Sequence, residues 1–150
     1  MYIQYIDLYI FYEQVFISYI LSKVTIEVGK ITPGGIFAMK CEKSGDNYYF
    51  TYKDNTYTHI NEQKTFKIQD IDNAFETLYT MVKEGIETQP KEATILEFPD
   101  GFLYLMFEKS FGVKCVRFGH ATSKSESAVV GYSSLFTKKQ IDKLFGKAEK

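Results

Sequence analysis

Arg117 is the only arginine in the chain, against 17 lysines, and the side chains after it suit the same chemistry. His120, Ser123 and Lys124 follow in the stretch Arg117-Phe-Gly-His120-Ala-Thr-Ser123-Lys124. A guanidinium grips carboxylate or phosphate bidentately, and imidazole, hydroxyl and ammonium groups add further donors. These residue types in one segment predict a binding site for a small anion at Arg117–Lys124. The competing reading is a strand-end arginine on the surface beside a polar loop.

Cys115 and His120 lie five residues apart, a spacing that raises a thiol nucleophile with its base or half of a metal site. Cys115 sits among Val113, Val116 and Phe118, where an unpaired cysteine usually packs as a small hydrophobe. A closed metal site needs about four ligands, and only Cys41 and His59 remain to help. Tyr48, Tyr49, Phe50, Tyr52 and Tyr57 are interleaved with Lys40, Lys43 and Lys53, an arrangement able to stack single-stranded bases. Glu42, Asp46 and Asp54 dilute that charge, so core and cross-strand packing is the expected role and nucleic acid is not favoured. Phosphate-cradling glycine loops, dinucleotide fingerprints, nucleophile elbows and zinc-protease motifs are all missing from the sequence. No cofactor is expected, and a non-catalytic role is favoured over an enzyme.

The elements that must position these residues follow from composition and periodicity. The chain has 150 residues, 45% hydrophobic and 25% charged, which is enough to bury a core in one domain over 1–150. Twelve Tyr and 13 Phe without Trp favour sheet. The formal net charge is −1, but its distribution is uneven. Residues 109–150 carry nine basic and three acidic side chains, and 84–108 carry six acids against Lys91 alone. Such a dipolar surface can steer a charged partner. Two cysteines make no disulfide framework, so Cys41 and Cys115 are expected to be reduced and buried in a cytoplasmic protein.

Residues 1–22 are the most hydrophobic stretch, interrupted by Gln4, Asp7, Gln14 and Ser18 on one narrow helical stripe. An amphipathic helix with a wide apolar face fits best, covered by the protein's own sheet or by a second copy in a homodimer. A signal peptide lacks its basic start, and a transmembrane span would bury Asp7 and Glu13, so membrane attachment is not favoured. Five strands are then expected, at Val24–Val28, Ile36–Lys43, Tyr48–Lys53, Thr56–Ile60 and Lys64–Gln69. A helix follows with Ile71, Ala74, Phe75, Leu78 and Val82 on one face, Asp70 as N-cap and Gly85 as its stop. Past a linker at 87–92, strands are expected at Ala93–Phe98, Phe102–Lys109, Gly112–Gly119 and Ala128–Ser134. The last helix has a capping box, Thr137 with Gln140, a Phe136–Ile141 staple and a Gly146 stop.

Two stretches match at an offset of 66 residues: Pro33–Ser44 (PGGIFAMKCEKS) and Pro99–Ser110 (PDGFLYLMFEKS). The expected organisation is therefore α+β: an N-terminal helix over 1–22 and two similar antiparallel strand-rich halves, 24–86 and 93–147. Each half ends in a helix, and the helices pack on one face of the sheet. Under the same offset Thr56–Ile60 falls opposite the Ser-rich loop Thr122–Glu126, which predicts that symmetry breaks there. The element order resembles that of small dimeric secretion chaperones, which implies, at the level of fold alone, another protein as partner. The expected function is a protein-binding module of inhibitor, immunity, chaperone or adaptor type, with the anion site as the alternative.

Overall fold

The computed structural model describes residues 2–149, with side chains described for residues 8–20 and 24–149. Helix α1 (Tyr2–Lys23) leads into a four-stranded antiparallel sheet of β1 (Thr25–Ile31), β2 (Met39–Ser44), β3 (Asn47–Lys53) and β4 (Gln63–Gln69), in that spatial order. Helix α2 (Ala74–Thr88) crosses to a second sheet of β5 (Thr94–Phe98), β6 (Gly101–Ser110), β7 (Val113–Ala121) and β8 (Val130–Thr137), again in sequence order. Helix α3 (Lys138–Leu144) closes the fold. The expected α+β architecture of two similar halves is the observed one.

The likeness of the halves extends to their turns. Ser44 pairs with Asn47 across a two-residue turn between β2 and β3, and Ser110 pairs with Val113 across the matching turn between β6 and β7. The halves are also interlocked. Helix α2 packs on β6 and β7 of the second sheet as well as on β4, and α3 packs on β1 and β2 of the first sheet as well as on β8. The inward side of β3, Tyr48, Phe50 and Tyr52, alternates with Tyr49, Thr51 and Lys53 outside, as strand periodicity requires. Both sheets and both helices contribute to one core, in which Phe145 packs its ring within 5.1–5.5 Å of Phe50, Phe75 and Tyr79. Burial of these β3 aromatics takes them away from any base-stacking surface.

Three local expectations are corrected. Thr56–Ile60 is not a strand but part of the irregular connection 54–62. Asp54 Oδ1 accepts hydrogen bonds from the Thr56 N–H and hydroxyl, and the Asn55 N–H donates to the Tyr132 carbonyl, so backbone donors turn to the other half instead of a ladder. Both halves thus carry four strands and a loop after the third, and the symmetry expected to break there continues. Asp70 is not the N-cap of α2. Asp72 and Asn73 both adopt positive φ, Asn73 is the cap, and Asp70 Oδ1 reaches forward to accept from the Phe75 N–H. Gly85 does not stop the helix, which runs on to a left-handed Gln89 cap. A Cβ at Gly85 would fall 2.0 Å from the Phe107 ring, so glycine is needed there for the close approach of α2 to β6. The capping box of α3 is present as expected, with Phe136 and Ile141 fully buried.

Gln4 and Asp7 of the stripe expected on α1 lie outside the described side chains. From Leu8 to Ile20, ten large apolar residues are between 44% and 70% exposed, and none belongs to the core. Among the described residues no helix is long and apolar enough to cross a membrane.

Candidate functional site

Alternation along β7 separates the residues that the sequence grouped. Arg117 and His120 are three apart in an extended strand, so their side chains leave opposite faces of the sheet. Arg117 is half-exposed, with Nη2 3.4 Å from Glu108 Oε1 on the neighbouring strand. Lys124, in the β7–β8 connection, holds Glu97 Oε1 at 2.6 Å, and Ser123 Oγ accepts from the Ser125 N–H within the same loop. Arg117 and Lys124 thus each engage a carboxylate of their own, and His120 turns inward, away from both.

Cys115, five residues before His120, likewise projects to the other side and donates to the Val113 carbonyl at 3.5 Å. Burial pushes its thiol pKa up, and burial with the neighbouring Glu42 pushes that of Cys41 up to about 12. Both cysteines are free, buried and protonated, the state of inert core residues rather than nucleophiles. No group of three or more metal-binding side chains occurs among the described residues.

His120 instead joins a polar cluster at the seam between the sheets, most of which sequence reasoning did not single out. Its Nδ1 is hydrogen-bonded to the Tyr52 hydroxyl at 3.2 Å, and its ring packs 5.6 Å from that of Phe66. Tyr52 is fully buried. Close behind it, Lys64 Nζ lies 2.7 Å from Asp54 Oδ2, and Asp54 Oδ1 accepts from the Tyr132 N–H of β8. The cluster folds around Gly131, which stands opposite His120 in the β7–β8 register. A Cβ there would lie 2.4 Å from the Tyr52 hydroxyl, 2.9 Å from Lys64 Cδ and 3.3 Å from Asp54 Oδ2.

The electrostatics follow from burial and pairing. Burial alone would raise the Asp54 pKa, but Lys64 and the hydrogen bonds from Thr56 and Tyr132 outweigh it and hold the carboxyl well below its usual range. Burial, then the charges of Asp54 and Glu62, raise the Tyr52 phenol. Burial, reinforced by the charge of Lys64, lowers His120 and keeps its imidazole neutral. The ion pair is thus charged while Tyr52 and His120 stay neutral beside it.

His120 also lines a cleft of about 530 Å³ along β4 and the β5–β6 turn, with Phe66, Phe98 and Pro99 as its apolar part. Thr65, Lys67, Gln69, Asp100, Gly101 and Thr122 complete its wall. A second groove of about 500 Å³, bounded by α2 and β5, shares Lys67, Gln69, Phe98 and Pro99 with it. The signal that could have found the cluster was present in the sequence: Asp54 precedes His120 by the same 66 residues that separate the matching stretches.

Fold and site together define an α+β protein of two interlocked halves with a buried polar cluster at their seam. Compared with protein families, curated proteins and solved structures, the chain matches none of them.

Proposed function

We propose that this chain is a non-catalytic protein-binding module whose docking element is α1. The observation that carries the reading is the exposure of Leu8, Tyr9, Ile10, Phe11, Tyr12, Val15, Phe16, Ile17, Tyr19 and Ile20 on a helix none of whose described side chains belongs to the core. A helix of 22 residues is about 33 Å long. One that is apolar on most of its circumference belongs inside a packed assembly. The partner this chemistry fits is a protein with an apolar groove or helix pair that covers more than one side. A membrane surface fits less well, because a helix lying on lipid needs a charged, usually basic face. Residues 8–20 contain Glu13 and no lysine or arginine. Two buried, protonated thiols suit a reducing, cytoplasmic setting.

The test uses the full chain and the double variant Phe11→Lys with Phe16→Lys, which leaves the core untouched. Affinity capture from the native host, quantified by mass spectrometry, should return a stoichiometric protein with the wild type and lose it with the variant. Equal capture by both would remove α1 as the docking element. Concentration-dependent dimers in sedimentation, abolished by the variant, would make the partner a second copy. Flotation with phosphatidylcholine–phosphatidylglycerol vesicles, again abolished by the variant, would replace the reading with membrane attachment.

A further inference from the structure

The cleft beside His120 has the dimensions and lining of a small-molecule site, independently of α1. Such sites run to about 300–1,000 Å³ and combine apolar walls with a few placed polar groups. This one offers about 530 Å³. Its apolar wall is aromatic: the Phe66 and Phe98 rings are stacked with centroids 6.3 Å apart, and Pro99 adjoins them. Its polar wall presents donors. The Tyr52 phenol is protonated, and His120 Nδ1, at 3.2 Å, is the acceptor within reach of its hydroxyl. A neutral imidazole that accepts at Nδ1 carries its proton on Nε2. Among the described residues the buried side-chain nitrogens and oxygens without a hydrogen bond are Asp54 Oδ2, ion-paired with Lys64, and Arg117 Nε; His120 Nε2 is not one of them, so it is not sealed in the core. His120 lines the cleft, and Nε2 is the polar atom it can turn there.

Lys67 borders the cleft from the outward side of the edge strand β4, opposite in parity to Phe66, with no carboxylate paired to it among the described residues. Asp100, in the β5–β6 turn, is the one acid of the lining. We propose that this cleft binds a small aromatic carboxylate, its ring against Phe98 and Pro99 and its carboxylate on His120 Nε2–H and Lys67 Nζ. Offset stacking on the half-buried Phe98 ring, which Phe66 backs from the core, favours an aromatic body over an aliphatic one. A charge-assisted hydrogen bond and an ammonium favour a carboxylate over a neutral carbonyl. The Tyr52 hydroxyl acts as a positioning group, because it fixes which imidazole nitrogen carries the proton.

The probes are phenylacetate, its neutral counterpart phenylacetamide, and phenethylamine, which reverses the charge. The chain has two histidines, and His59 lies exposed in the connection 54–62, so imidazole NMR on the full chain carries its own control. At pH 7.5 phenylacetate should shift the His120 resonances saturably and leave those of His59 in place. Lys67→Met, at an exposed position, should weaken that binding about tenfold, whereas Lys109→Met at the far end of β6 should not. Phenylacetamide should bind more weakly than phenylacetate. No saturable shift at His120, unchanged affinity in Lys67→Met, or tighter binding of phenethylamine would each overturn the assignment.

Discussion

Asp54 and His120 occupy the same place in the two halves, 66 residues apart, where the third strand of each sheet gives way to its loop. Both are buried polar residues that cross the seam. Asp54 reaches the Tyr132 N–H of β8, and His120 reaches Tyr52 of β3. They are finished differently. Asp54 is engaged on both oxygens, with Lys64 Nζ ion-paired to Oδ2 and three hydrogen bonds on Oδ1. His120 has one ring nitrogen engaged and borders a cleft. One copy of the position therefore works as a clasp between the halves, and the other keeps a group available for a ligand. A fold of two similar halves can hold itself together with one member of a symmetric pair and leave the other for recognition.

The largest effect should come from breaking the clasp. Asp54→Ala would leave Lys64, which is 15% exposed, without its counter-charge and remove the acceptor of three hydrogen bonds. Removing one member of a buried pair costs about 3–5 kcal/mol, which urea unfolding at pH 7 would measure. The native carboxyl titrates below the usual range, so its stabilisation is present above the ordinary carboxylate pKa and lost as pH falls through the depressed native value. Asp54→Ala should therefore remove part of the wild type's acid sensitivity. A loss below about 1 kcal/mol would show that the seam is held elsewhere.

Gly131→Ala tests whether the two positions share one space. Its methyl group would sit 2.4 Å from the Tyr52 hydroxyl and 2.9 Å from Lys64 Cδ, so both must give way. Overpacking of this kind costs about 1–3 kcal/mol. It should also move the His120 imidazole resonances, because the displaced hydroxyl is the one bonded to Nδ1. Stability lost with an unmoved His120 would separate the clasp from the cleft.

A third test uses pH. Burial and Lys64 lower the His120 pKa, so below the ordinary value of 6.5 the unfolded chain binds a proton that the native chain resists. Stability should be level above that pH and decline below it, by at most about 1.4 kcal/mol per pH unit, until the native pKa is reached. His120→Phe should flatten the slope between pH 7 and 5 without touching the Asp54 component at lower pH. An unchanged slope would mean that His120 protonates as readily in the native chain as in the unfolded one.

How much of this was legible in the sequence depends on whether the signal was local. Periodicity gave the strands and helices, and the Thr137–Gln140 capping box was readable because all its parts lie within four residues. The start of α2 was misread because Asp70 caps from five residues away while Asp72 and Asn73 take left-handed conformations. Thr56–Ile60 was misread because Asn55 bonds to Tyr132, a partner that no nearby residue announces. The site was half legible. His120 was singled out, but it was grouped with Arg117 by proximity, whereas strand parity places them on opposite faces. Tyr52 passed for ordinary core because nothing in β3 reveals the imidazole that its hydroxyl meets.

The smallest expected effect carries the sharpest test of the comparison. Under the 66-residue offset Tyr52 corresponds to Phe118, so Tyr52→Phe makes the first half like the second at the cost of a single hydroxyl. The ring stays in the core and the hydrogen bond to His120 goes, a loss of about 1 kcal/mol in unfolding experiments. The more telling readout is the tautomer. With the hydroxyl present, Nδ1 accepts and imidazole nitrogen shifts should report the proton on Nε2. Without it Nδ1 has no donor to face, and the proton should distribute over both nitrogens. Phenylacetate binding should weaken in step, because part of the population would then present a lone pair to the carboxylate. A tautomer unmoved by Tyr52→Phe would mean that the polarity of His120 is set from the cleft side. The difference between the halves would then lie in the lining at Lys67 and Thr122 rather than in the hydroxyl behind the ring.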